Sequence, residues 1–180
     1  PVQDNMPIIN AAASEEGRAF AMRNANFLFT PVFDFDQAAE TVSDISSRAS
    51  SVGREVNVLT FCTVVCRETQ QEAEDYWAYY ANEHADWDAV DNLMTLQGMH
   101  AQSFTPEALS MFRDRFAAGH GGFPLVGTPD YIANELEKLS ATGVAGTTLA
   151  FVDYAKEFPF FAQEVIPRLE RKGLRKPFGL

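Results

Sequence analysis

Ser14 is the residue from which a chemical reading of this chain starts. It follows a turn of small residues, Ala11-Ala12-Ala13, and precedes two acidic residues, Glu15 and Glu16. Serine is a preferred helix N-cap, and acidic side chains suit a first helical turn. The alanines let another group come close to the backbone. Where a strand ends just before such a turn, the helix start offers unpaired N–H groups and the positive end of its dipole, which together suit a phosphate. A capped helix without a ligand accounts for the same residues, since no G-x-G-x-x-G accompanies them.

The other chemistry-bearing residues are sparse. His84, His100 and His120 are the three histidines; no H-E-x-x-H joins them, so no metal site is expected. G-x-S-x-G is absent and Ser14 has no nearby His, which argues against a hydrolase. Cys62 and Cys66 read as small buried hydrophobes in a reducing compartment. Arg67 serves either an anionic ligand or an ordinary ion pair. His84 and His100 read as surface or interface residues. Trp77, Tyr79, Tyr80, Trp87, Met94 and Met99 form a subunit interface or belong to the core.

The elements that must position these residues follow from periodicity. Pro7 to Asn10 and Asn26 to Phe29 read as short strands around a helix opening at Ser14. From about Asp36, Ala38, Val42, Ile45, Ala49 and Val52 make one apolar stripe of a helix that Gly53 ends. Val56 to Val65 is β-branched and almost continuously apolar, as a central strand of a parallel sheet is. Thr69 caps a helix running to about His84; helices at Trp87 to Leu96 and Pro106 to Ala118 follow, with no strand between. Gly119 to Pro124, with three glycines in the four residues 119–122, reads as a mobile loop closing an insertion that spans Thr69 to Phe123. Leu125-Val126 then leads into a helix with Thr128 as N-cap and Pro129 at its first position, stopped by Gly143. Gly146 to Val152 is the last strand, and Phe158 to Lys172 a final helix that Pro167 kinks or shortens.

Strand and helix alternate four times, which means a parallel sheet: a doubly wound α/β sheet, or half of a TIM (β/α)8 barrel, which needs roughly 250 residues when whole. The chain has 180 residues and begins with Pro, so the half barrel is favoured and a single domain is expected. Composition sets further bounds. A net charge of −11 opposes nucleic acid, and no apolar run approaches the ~20 residues of a membrane span. With no leader signature, a cytoplasmic protein is expected.

Particular strings narrow the field. INAAASEEGRAFAMRNANFLF resembles the fifth-strand region of the bacterial luciferase-like, flavin-dependent monooxygenases, with a small-residue turn, a Ser and a G-R-x-F-A helix before the next strand. GGFPLVGTPDYIANELEKLSATGVAGTTLAFVDY and FPFFAQEVIPRLERKGLR are similar to that family's C-terminal region. The resemblance implies the C-terminal half of a TIM barrel, in which reduced FMN from a partner flavin reductase and O2 oxygenate a small organic substrate. Substrate classes in the family include sulfur compounds, alkanes, pyrimidines and cyclic ketones. Ser14 and the backbone of Ala12 and Ala13 would hold the FMN phosphate; Ala12 stands where the family usually has Gly, and its methyl narrows the approach. His120 would belong to a lid over flavin and substrate, or be a solvated loop residue. Phe123 would line the substrate pocket or anchor the loop. Catalytic residues would lie in the missing N-terminal half, held as a companion polypeptide. Two alternatives stay open: an F420-dependent oxidoreductase of the same fold, and a non-catalytic flavin- or phosphate-binding half barrel that self-associates as a homo-oligomer.

Overall fold

A computed structural model describes residues 5–12, 14–99 and 105–177. The chain falls into two compact units, one of residues 1–61 with 136–148 and one of residues 62–135 with 149–180.

The first unit opens with strand β1 (Ile9–Ala11), helix α1 (Glu15–Asn24), strand β2 (Phe27–Phe29) and helix α2 (Phe35–Ser51), and takes the first residues of strand β3 (Asn57–Cys66). β1 pairs with β2 and β2 with β3, both parallel, with Ile9 beside Phe27 and Phe27 beside Asn57. Asn26 fixes the register, since its Oδ1 accepts the Ile8 N–H at 2.9 Å. Strand β5 (Gly146–Ala150) also pairs with β3, and the Ala145 N–H just before it donates to Val58 O at 2.9 Å.

The two faces of this sheet differ. Leu28 and Val58 are buried, as is the stripe Ala38, Ile45 and Ala49 on α2. On the opposite face Ile9 is 59% exposed, while Phe27, Phe29, Leu59 and Phe61 are only half-buried; the Phe29 and Phe61 rings stack at 5.7 Å. The alternation of a strand puts these five residues together.

The second unit begins where β3 becomes continuously buried, from Cys62 to Cys66. It continues through α3 (Gln70–Ala78), a π-helical turn (Tyr79–Glu83), α4 (Trp87–Leu96) and α5 (Pro106–Gly119). Thr69 caps α3 through a reciprocal box with Glu72, as the T-x-x-E spacing predicts. After β4 (Phe123–Gly127) comes the start of α6 (Pro129–Ala141), then α7 (Tyr154–Glu164) and α8 (Ile166–Arg171).

Three expectations change. The glycine-rich stretch is not a loop throughout: α5 runs to Gly119, His120 closes it in the left-handed conformation at φ 56°, and β4 begins at Phe123. Residues Phe123 to Gly127 pair parallel with Cys62 to Cys66, which makes a strand of a segment with no strand-like signal at its start. Gly119 is needed by space, for a Cβ there would lie 2.6 Å from Thr63 Oγ1. The last helix is two helices, α7 starting at Tyr154 rather than Phe158 and tolerating Pro159, and α8 carrying Pro167 in its first turn. The first strand lies at Ile9–Ala11, slightly later than its apolar run.

Candidate functional site

In the first unit, the chain leaves β1 at Ala11 and enters α1 at Glu15 through Ser14. Ser14 is exposed, and its Oγ accepts the Gly17 N–H at 3.2 Å while its carbonyl accepts the Arg18 N–H at 2.9 Å. These bonds satisfy the later N–H groups of the first turn; those of Glu15 and Glu16 have no intrahelical acceptor by their position. A Cβ on Gly17 would lie 2.7 Å from the Ala12 Cβ and 3.2 Å from Ser14 Oγ. Only glycine at 17 lets the turn fold this closely over the helix start, and the methyl of Ala12 is what occupies the gap.

Arg18 is a residue that the sequence did not single out. Its Nε is buried without a hydrogen-bond partner among the described residues, one turn beyond Ser14. The signal was available in the G-R pair, but nothing in its spacing separates a ligand-binding arginine from a surface one. Glu15 pairs with Arg48, and the hydrogen bond from Arg48, joined by the charge of Arg18, holds its carboxyl below the usual carboxylate range. Ala13 lies outside the described residues, as does His100.

In the second unit, β3 ends at Cys66 and Arg67 follows. A cleft of about 490 Å³ opens there, lined by Arg67, Glu72, Tyr76, Asp153, Glu157 and Phe160 among others. Arg67 donates to Glu157 Oε1 at 2.6 Å and to Cys66 O at 2.9 Å, with its guanidinium 4.2 Å from the centre of the Tyr76 ring. The ion-pair reading of Arg67 is therefore the observed one. Glu157, with its side chain 8% exposed, also accepts the Asp153 N–H through Oε2 at 3.0 Å, so it ties the first turn of α7 to the end of β3. Burial pushes the Cys66 thiol up to about 11 and raises the Tyr80 hydroxyl as well. Tyr80 OH is buried and without a partner among the described residues.

His120 is exposed, with Nε2 3.4 Å from Gln97 Nε2 and its ring against Phe116. Phe123 is buried in β4, with the Arg115 guanidinium 5.7 Å from its ring centre. His84 is exposed against Tyr79. Among the described residues no group of three or more His, Cys, Asp or Glu is placed to hold a metal ion, and no helix is long and apolar enough to cross a membrane.

The profile of the luciferase-like monooxygenase family matches residues 1–146. The chain belongs to the luciferase-like monooxygenase family. Among its relatives, dimethyl-sulfide monooxygenase of Hyphomicrobium sulfonivorans is 28% identical over 206 residues, covering 96% of this chain and 43% of the relative. Pyrimidine monooxygenase RutA of Escherichia coli K12 is 27% identical, covering 92% and 44%. The crystal structure of DmoA from H. sulfonivorans superposes with a TM-score of 0.76 at 22% identity, over 92% of this chain and 41% of that one. The luciferase-like fold, a TIM barrel in these structural relatives, is thus the architecture to which the parallel strands and their helices correspond. The chain spans less than half the length of the curated relatives it matches first.

Proposed function

We propose that this chain supplies the flavin-phosphate half of an FMN-dependent monooxygenase acting on a small organic substrate. The observation that carries the proposal is the start of α1: an exposed Ser14, the close approach of Gly17 to Ala12, and, one turn beyond Ser14 on the same helix, an Arg18 Nε that is buried without a hydrogen-bond partner among the described residues. These groups fit a dianionic phosphate, since a helix start contributes N–H donors and an arginine contributes charge. The FMN-dependent relatives, including dimethylsulfone monooxygenase of Pseudomonas putida at 29% identity, support the choice of flavin.

In this reading the Ser14 hydroxyl, the N–H groups of Glu15 and Glu16, and the backbone of Ala12 and Ala13 hold the phosphate, and Arg18 neutralises part of its charge. Reduced FMN, brought by a flavin reductase, supplies the oxygen-activating chemistry. His120 and Phe123 are assigned to the substrate side, His120 through its exposed imidazole and Phe123 as the buried, apolar first residue of β4. The residues that act on the substrate belong to a companion half of the family fold, an assignment that rests on the share of the relatives' length this chain covers.

The test compares FMN with riboflavin, which lacks the phosphate, by quenching of flavin fluorescence on the purified protein. Ser14→Ala is expected to weaken FMN binding roughly tenfold, the scale of one hydrogen bond to a charged group, and to leave riboflavin binding unchanged. Equal losses for both flavins would remove the phosphate from this turn. A second readout is denaturing mass spectrometry, in which a companion polypeptide of similar size is expected beside the 20.0 kDa chain.

A further inference from the structure

We infer that a second cleft in the 62–135/149–180 unit binds a small organic cation with a methylated ammonium head, independently of any flavin. The cleft has a volume of about 370 Å³ and is lined by Gln70, Glu74, Trp77, Pro124, Val126 and Tyr131.

Its construction follows from two periodicities. Gln70, Glu74 and Trp77 are spaced four and three apart on α3 and so share one helical stripe. In β4, Phe123, Leu125 and Gly127 are buried while Pro124 and Val126 are half-exposed, which makes the latter pair the floor. Tyr131, 43% exposed on the first turns of α6, forms the facing side. The wall is packed tightly where it can be: a Cβ on Gly127 would lie 2.5 Å from Gln70 Oε1 and 2.7 Å from Tyr131 Cδ1. Gln70 is held in place by bonds to Glu74 Oε1 at 2.8 Å and Val126 O at 3.3 Å.

The chemistry of the lining selects the ligand. Four of the six residues (Trp77, Tyr131, Pro124 and Val126) offer aromatic or aliphatic surface, and Glu74 is the one residue of the six that is charged at neutral pH. No basic side chain lines the cleft, on a protein of net charge −11, so anions are disfavoured and cations favoured. Elsewhere in this unit aromatic faces already carry an internal cation: Arg67 over Tyr76 at 4.2 Å and Arg113 over Trp87 at 4.1 Å. Among the described residues Trp77 has no such cation, and its ring contact is an edge-on one with Tyr80. An aromatic side with one carboxylate and an apolar floor is the recognition chemistry of a methylated ammonium. A guanidinium is a poorer fit, because the single carboxylate is already hydrogen-bonded to Gln70 and the floor offers it no further acceptor side chain.

Choline and its neutral carbon isostere 3,3-dimethylbutan-1-ol, followed by saturation-transfer NMR on the ligand, separate charge from shape. Choline is expected to bind saturably, and the isostere roughly fivefold or more weakly. Trp77→Leu should abolish choline binding in a protein whose circular dichroism is unchanged; Glu74→Gln, a near-isosteric surface change, should weaken it several-fold. Equal binding of the isostere would make the cleft a plain apolar groove and overturn the inference. So would tighter binding of arginine, an unchanged affinity in both variants, or the absence of saturable choline binding.

Discussion

Ionisable groups that burial has shifted leave a signature at alkaline pH. Cys66 and Tyr80 both hold their protons more tightly in the folded state, because desolvation disfavours their charged forms. The raised value of Cys66 contributes stability that is present below its ordinary value of 9.0 and is lost as pH rises toward about 11. Urea midpoints measured from pH 8 to pH 11 should therefore fall across that interval, and thiol reagents should label Cys66 at pH 8 only after denaturation. A midpoint independent of pH would contradict the buried environment. At acid pH the exposed carboxylates Asp91 and Asp130, held below 3.8 by hydrogen bonds from Arg113 and Arg168, act in the opposite direction: their small contribution is lost as pH falls through the lowered values. At this scale the sequence is only half legible. Ser14, Thr69 and Thr128 announce their caps because their side chains act within one helical turn. Arg18, Glu157 and Tyr80 announce nothing, because what distinguishes them is burial and partners distant in sequence.

Elements show the same division between local and long-range causes. Amphipathic spacing is enough to foresee α2, the Thr69 cap is enough to foresee the start of α3, and Gly143, whose φ of +94° suits glycine, marks the stop after α6. Strand β4 is foreseeable only in part. Gly121, Gly122 and Pro124 argue for a loop, and Phe123 to Gly127 become a strand through pairing with Cys62 to Cys66. The junction of β3 and α7 likewise depends on one side chain, Glu157. Replacing it with Ala removes the acceptor for both Arg67 and the Asp153 N–H. A loss of about 2–3 kcal/mol is expected in urea denaturation, below the ~3–5 kcal/mol of a wholly buried pair because a quarter of the Arg67 side chain is exposed and Cys66 O also accepts from it. An unchanged midpoint would show that the capping by Asp153 alone holds the start of α7.

For the molecule as a whole, the feature with the widest reach is the open face of the first unit's sheet, where Ile9, Phe27, Phe29, Leu59 and Phe61 meet solvent to differing degrees. In barrels of this kind such side chains interleave in layers and close the interior. Here they form a contiguous apolar surface of the sort that marks an interaction face rather than ordinary exterior. The chain by itself should bind 8-anilinonaphthalene-1-sulfonate with enhanced fluorescence, and the signal should collapse once a companion half is present; a lone chain that leaves the dye dark would mean the face is covered already. The consequence extends to handling. An apolar face that meets water is a surface to which further copies adhere, so the chain kept by itself should come out of solution more readily as sulfate, which strengthens apolar burial, is added.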